Sequence, residues 1–233
     1  MDIIPVIDLL QGQVVHAVRG HRGTYLPVQS RLCSGSDPLD IVQAFLAIHD
    51  FTTIYIADLD LISGTGDNNC CVKMLNTFFV NIDFWLDAGK ENLKTMHYEK
   101  PGRLIPVIGS ETGVSTRSLS GLVNTNTHAI LSLDFRDQEF IGDPDLLKST
   151  SIWPENIIIM NLARVGSCLG PDIDLIRQIQ GQAGNRKIYI GGGIRNIDDL
   201  LLLESMDVAG VLLATALHDR TITRDQIACL QEM

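Results

Sequence analysis

The sequence predicts a (β/α)₈ TIM barrel spanning residues 1–233. Short apolar, β-prone runs recur eight times, most of them followed by a stretch with helical patterning. Eight such units in 233 residues come close to the roughly 250 residues typical of this barrel. Polar residues able to carry chemistry gather where the runs end, the face on which such barrels build their sites. A doubly wound open sheet is the alternative, but it would not need eight units of such even length.

Ile3 to Leu10 reads as a buried strand with Asp8 near its end, and Gln13 to Arg19 as its hairpin partner or extension. Gly20 to Asp37 is an irregular, glycine-rich loop of a length that is usually functional or mobile. Asp37-Pro38 makes a helix start, as N-cap and first-turn proline, and the helix covers Leu39 to His49. Thr53 to Leu59 is the second strand, followed by a loop and a helix around Cys71 to Phe78. Ile82 to Leu86 is the third, ending in Asp87-Ala88-Gly89-Lys90, with a short helix at Glu91 to Tyr98. Leu104 to Ile108 is the fourth, ending in Gly109-Ser110-Glu111-Thr112 before a helix around Ser118 to Thr125. Ala129 to Asp134 is the fifth strand and Asn156 to Leu162 the sixth, the latter followed by the helix Asp172 to Gln180. Ile188 to Ile190 is the seventh, with the helix Ile197 to Ser205. Gly210 to Leu213 is the eighth, ending in Ala214-Thr215-Ala216, and a last helix covers Arg224 to Gln231.

A weak internal repeat accompanies this order. Ala57-Asp58-Leu59 aligns with Met160-Asn161-Leu162, Asp87-Ala88-Gly89 with Gly191-Gly192-Gly193, and Gly109-Ser110 with Ala214-Thr215, all at nearly one offset. Asp8 pairs with Asp134 at a larger offset, as the longer first loop requires. Two half-barrels, about residues 1–125 and 126–233 of a single domain, account for the register with one idea.

Composition narrows the function classes. Formal net charge is −10, from 18 basic and 28 acidic residues, which argues against non-specific nucleic-acid binding. The five cysteines are scattered and form no C-x-x-C pair, so no zinc site, no disulfide framework and no other metal or cofactor is expected. The chain enters a strand directly, without a signal-peptide pattern or an apolar run of the roughly 18 residues a membrane span needs. A cytoplasmic protein with reduced thiols and no membrane partner fits best.

Lys187 to Leu200, KIYIGGGIRNIDDL, is the stretch that speaks most directly of a ligand. Strand, glycine turn and helix form a phosphate seat, because glycines let main-chain N–H groups approach an oxyanion. Taken alone it reads equally well as a tight strand-to-helix turn. The other strand ends supply Asp8, Asp58 or Asp60, Asp87 with Lys90, Ser110-Glu111-Thr112, Asp134, Asn161 and Thr215. So many acids at one barrel mouth would repel unless they transfer protons or meet cations. Asp58 and Asp60 read equally well as helix caps or loop ion-pair partners. The loop Arg19 to Arg31, with Arg19, His21, Arg22 and Arg31, reads either as a lid over an anionic ligand or as a solvated loop. His16, His49 and His128 read as structural or surface residues, His218 as a loop residue, Trp85 and Trp153 as packing, and Leu200 to Leu203 as a buried helix face.

IIPVIDLLQGQVVHAVRG, GGGIRNIDDL and GVLLATAL resemble the histidine-biosynthesis barrel family along essentially the whole chain. That family contains the ribotide isomerase and its cyclase sister, half-barrel repeats whose substrate carries a phosphate at each end. The resemblance implies that Asp8 transfers protons in an Amadori-type rearrangement and that Asp134 is the fifth-strand aspartate. It implies one phosphate at Gly192, Gly193, Ala214 and Thr215, and another at Ala88, Gly89, Ser110 and Thr112. The sixth-strand segment departs from the pattern. Arg164 and Gly166 are kept, whereas Asn161 and Val165 stand where the family has carboxylates. A lost general acid or base costs a factor of about 10²–10⁴. Asp87-Ala88-Gly89 replaces a glycine triplet, so that either the second seat binds something else or Lys90 takes over from a turned-away Asp87. The Gly-Ser-Glu-Thr run and the arginine-rich first loop resemble a branch found in methanogens and methylotrophs, associated with tetrahydromethanopterin C1 metabolism.

Together these imply an isomerase- or lyase-like enzyme, without a metal, acting by acid–base chemistry on a phosphorylated ribosyl-type metabolite. Asp8, with Asp87 or Asp134, would flank the centre of the mouth, and Lys90 or Arg164 would meet substrate charge. Two alternatives stand beside it: a barrel that binds a phosphorylated metabolite without catalysis, and the ordinary ribotide isomerase of histidine biosynthesis.

Overall fold

The computed structural model describes residues 1–89, 103–125 and 128–231. Lys90 and the expected helix Glu91 to Tyr98 lie outside the described residues. The expected eight strands are present: β1 (Asp2–Leu10), β2 (Thr53–Asp58), β3 (Asp83–Asp87), β4 (Arg103–Gly109), β5 (Ile130–Arg136), β6 (Asn156–Asn161), β7 (Lys187–Gly191) and β8 (Gly210–Leu213). Each pairs in parallel with the next. β8 returns to β1 through Asp2↔Gly210 to Pro5↔Leu213, so the sheet closes and the open-sheet alternative falls. The fold is a (β/α)₈ barrel.

The period of two along each strand sorts side chains between two cores. Ile54 and Ile56, Phe84 and Leu86, and Ile157 and Ile159 face the helices, in one large apolar layer with Phe45, Leu175 and Leu200. Tyr55, Trp85, Val107, Ile130, Ile158, Tyr189 and Leu212 fill the barrel interior. There Trp85 and Tyr189 meet edge to face, with ring centroids 4.8 Å apart at 86°. Counting two residues on from this interior layer gives Ala57, Asp87, Gly109, Met160, Gly191 and Ala214. The same parity puts Asp8 after Val6, and Asp134 after Ser132. These residues form the top of the barrel.

Asp58 and Asn161 are one residue out of step, so they belong outside the mouth. Asp58 caps the helix Leu59–Ser63, which begins where the sequence reading still had strand. Its carboxylate accepts from Leu61 N at 3.1 Å, Asn68 N at 2.8 Å and Asn68 Nδ2 at 2.7 Å. Asp60 accepts from Gln11 N at 2.7 Å and Asn68 Nδ2 at 2.8 Å, while Asn68 Oδ1 accepts from Gly12 N at 2.8 Å. Together they clamp the left-handed Gln11-Gly12 turn (φ 50° and 79°) that follows β1. Both aspartates are therefore structural.

That turn starts a strand, Gln13–His16, antiparallel to β1 with Asp8 opposite Val15. It is shorter than expected because the chain then crosses the barrel mouth. Leu26–Pro27 returns to pair with Val15 and His16. Asp37 caps the helix Pro38–Ile48 as expected, accepting from Leu39 N at 2.9 Å. The helix Ile173–Ala183 runs beyond the expected Gln180, and Asp172 is its cap. Between β5 and β6 lies an unforeseen strand, Glu139–Ile141, folded back on β5. Leu200 and Leu203 are fully buried, but Leu201 and Leu202 are 42 % and 43 % exposed. The four-leucine run is thus half core, as a helical period demands. Trp153 is packing, its Nε1 donating to Leu146 O at 2.7 Å. Among the described residues no helix is long and apolar enough to cross a membrane.

Candidate active site

A cavity of about 270 Å³ opens at the C-terminal ends of the strands. Asp8, Asp87 and Asp134 all line it. Gly109 sits between the last two: a Cβ there would lie 3.3 Å from Asp87 Oδ2 and 3.4 Å from Asp134 Oδ2. The absence of a side chain on β4 is what lets two carboxyls crowd together.

The three carboxyls are held differently. Asp134 is the most constrained, accepting from Ser132 Oγ at 2.7 Å, Glu111 N at 2.9 Å and Ser110 Oγ at 3.2 Å. Asp87 accepts from Gly89 N at 3.2 Å and Tyr55 Oη at 3.3 Å. Asp8 makes no hydrogen bond among the described residues; burial and the charge of Arg22 are what act on it. Burial lifts the Asp8 carboxyl from 3.8 to about 7, with Arg22 pulling the other way. It lifts Asp134 to about 7, helped by the charge of Glu111 and opposed by Ser132. Asp87 rises to about 6, burial outweighing the Gly89 hydrogen bond. Burial and four carboxylate neighbours likewise hold the Tyr55 phenol well above its usual range.

The first loop crosses this cavity. Arg22, in the single turn Arg22–Thr24, lines it and is ion-paired with Glu111 from the loop after β4. Tyr25 also lines it. The loop is pinned on each side, by Arg19 N to Val165 O at 2.9 Å and Arg31 N to His218 O at 2.9 Å. His218 is buried and belongs to a short helix, Thr215–His218, rather than to a loop. Its Nδ1 lies 3.0 Å from Ser30 Oγ, and burial lowers it to about 4, so it packs as a neutral ring.

Gly192, Gly193, Ala214 and Thr215 follow β7 and β8, and all are on the cavity lining. Gly192 and Gly193 have φ of +98° and +89°. A Cβ on them would meet Asn161 O at 2.5 Å and Gly170 O at 2.3 Å. Only glycine fits, because the β7 loop packs backbone to backbone against the β6 loop. The helix starts later than the triplet, at Ile197 with Asn196 as cap. Arg195 reaches the lining too, and is held in a fork by Asp199 at 2.7 and 2.9 Å. His16, read as structural, lies with Nε2 3.3 Å from Thr215 Oγ1, at the edge of this seat.

The other expected positions are placed less simply. Ser110 and Thr112 are absent from the cavity lining, as is Gly89. Ser110 Oγ donates to Ile141 O at 2.7 Å, and Thr112 Oγ1 to Gly109 O at 2.7 Å. Arg164 lines the cavity, but its NH1 donates to Gly170 O at 2.9 Å and its NH2 pairs with Asp172 at 3.4 Å. Asn161 donates to the same Asp172 oxygen at 3.1 Å, outside the cavity. Val165 does line the cavity. Of the two replaced carboxylates, Val165 is the one facing the cavity. Among the described residues no group of three His, Cys, Asp or Glu side chains is arranged to hold a metal ion.

Sequence reasoning missed Tyr25, Tyr55 and the Arg22–Glu111 pairing. Tyr55 was legible in principle, two residues before Ala57 on the inward parity of β2. Arg22 and Tyr25 sit in a loop with no period to read.

The model of the family described as "histidine biosynthesis protein" matches residues 2–223. An uncharacterised protein of Methanocaldococcus jannaschii is 31 % identical over 231 residues, covering 97 % of each chain. The 1-(5-phosphoribosyl)-5-((5-phosphoribosylamino)methylideneamino)imidazole-4-carboxamide isomerase of Thermus thermophilus is 26 % identical over 238 residues, covering 95 % of this chain and 96 % of its own. The isomerase of the same name from Clostridium botulinum is 22 % identical over 240 residues, covering 97 % and 96 %. With a family model spanning its barrel from β1 to beyond β8, this chain belongs to the histidine biosynthesis protein family.

Proposed function

We propose that this chain is an isomerase- or lyase-like acid–base enzyme acting on a phosphorylated, ribosyl-type metabolite. The observation that carries the reading is the meeting of Asp8, Asp87 and Asp134 on one cavity with the glycine seat that follows β7 and β8. A phosphate at Gly192-Gly193 and Ala214-Thr215 would anchor one end and turn the sugar carbons toward the acids. Asp8, free of hydrogen bonds among the described residues, would take the proton from carbon. Asp134 or Asp87 would give one to the departing oxygen. Carboxyls titrating at about 6 to 7 suit both jobs near neutral pH, where each protonation state is populated. Val165 cannot take part, so the partner acid of the family pattern has to come from β3 or β5 in this chain.

Asp8→Asn tests the reading. Turnover of a phosphorylated aldose or ribosylamine should fall by about 10²–10⁴ while binding persists. Unchanged turnover would remove Asp8 from the chemistry. The isomerases among the relatives, together with Asp8 and Asp134, favour a second reading, the histidine-pathway reaction itself. Growth of an isomerase-deficient histidine auxotroph carrying this chain would establish it; failure to grow would leave the broader reading in place.

A further inference from the structure

The two ends of the cavity differ in a way that bears on the class of substrate. One end is main chain and small side chains at Gly192, Gly193, Ala214 and Thr215, with Arg195 and Asp219 reaching the lining. Asp87, Asp134 and Glu111 line the wall that follows β3, β5 and β4, and Asp8 lines the cavity from β1, the strand that pairs with β8. Among the described residues Arg22 also lines the cavity, and it is already engaged by Glu111. The two hydroxyls best placed in sequence to meet a second phosphate are occupied: Ser110 Oγ binds Ile141 O at 2.7 Å, and Thr112 Oγ1 binds Gly109 O at 2.7 Å.

A phosphate dianion beside that wall would meet the carboxyls of Asp87, Asp134 and Glu111, the first two buried. Like charges there cost more than in bulk solvent. The isomerases among the relatives have names that carry two phosphoribosyl groups. A cavity of about 270 Å³ is also small beside the roughly 300–1,000 Å³ of most ligand pockets.

We infer that the cavity takes a compound with one phosphate and, beyond it, a positively charged nitrogen held among the carboxyls of Asp87 and Asp134, with Asp8 between the two groups. An ammonium or iminium group donates hydrogen bonds and brings positive charge to these carboxyls. Among the described residues the Asp8 carboxyl accepts no hydrogen bond, and burial and the charge of Arg22 are what act on it. The burial-raised protonation of all three carboxyls is the cost that a bound cation would relieve. This rests on the phosphate seat and acid–base reading proposed above, and deepens it by naming the charge at each end of the substrate.

The test is calorimetric titration of the full chain with D-glucosamine 6-phosphate, D-glucose 6-phosphate and D-fructose 1,6-bisphosphate. The ammonium monophosphate should bind about tenfold or more tightly than either of the others. Asp87→Asn and Glu111→Gln should each narrow that preference, and the ratios in the unaltered chain decide the matter even if a variant folds poorly. A bisphosphate that binds as well as the ammonium compound overturns the inference, as does glucose 6-phosphate binding equally well. Either result leaves the acid–base reading standing. If none of the three binds, the phosphate seat fails, and the reading and the inference fall together.

Discussion

At the scale of single residues, the structure turns on three carboxyls that burial pushes well above the ordinary carboxylate range. The consequence for stability has a definite sign. Asp8 is raised from 3.8 to about 7, so its contribution is complete below pH 3.8 and is lost as pH climbs through 7. Asp134, raised to about 7, and Asp87, raised to about 6, act in the same direction. Asp8→Asn removes the charge without removing any hydrogen bond among the described residues. The variant should therefore melt higher than the unaltered chain at about pH 8, with the gain fading toward about pH 5. Thermal melts at the two pH values check this; equal melting temperatures at pH 8 would contradict it. A gain in stability with a loss of turnover is the signature of a functional group held at a cost.

At the scale of elements, the seat after β7 and the loop after β1 make separate predictions. Gly193→Ala places a Cβ 2.3 Å from Gly170 O on a residue with φ of +89°. The loops after β6 and β7 must separate, so inorganic phosphate should lose its ability to raise the melting temperature. Retained phosphate stabilisation in a folded Gly193→Ala would move the seat elsewhere. Across the mouth, Arg22 and Glu111 tie the first loop to the loop after β4. The loop keeps its backbone anchors at Arg19 and Arg31 without that pair. Glu111→Gln should then speed amide exchange in residues 20–27 alone, by about tenfold, while the core is unchanged. Exchange that stays slow would show that the loop is held by its backbone and by Tyr25 packing instead.

These elements also show what was legible beforehand. Alternation along β3 and β5 put Asp87 and Asp134 at strand ends, and the closed barrel made both face one mouth. The Asp37-Pro38 and Asn196 helix starts could be read from chemistry that is local to the chain. The pairing of Arg22 with Glu111 could not, because it joins two irregular loops whose meeting depends on the whole barrel. Ser110 and Thr112 carried the right atoms for a phosphate. Whether those atoms are free depends on Ile141 O and Gly109 O, which no local pattern reveals. Asp58 and Asn161 looked like site residues because they end strands. One residue of register decides the face, and the strand ends were uncertain by just that much.

At the scale of the whole molecule, one closed barrel brings a backbone-lined seat after β7 and β8 and the carboxyls of β1, β3 and β5 to a single cavity. Membership of the histidine biosynthesis protein family rests on a match that spans the barrel. Of the positions where the sequence departs from the resemblance, Val165 and Asp87 line the cavity and Asn161 does not. The central claim is that Asp8 moves a proton to and from substrate carbon. Its most direct test is nuclear magnetic resonance of phosphorylated aldoses and ribosylamines incubated with the chain in deuterated water. The unaltered chain should introduce deuterium at the carbon next to the carbonyl or imine of at least one compound. Asp8→Asn should bind that compound and leave its proton in place. Deuterium entering at an equal rate with Asp8→Asn, or entering none of the compounds with the unaltered chain, would contradict the account.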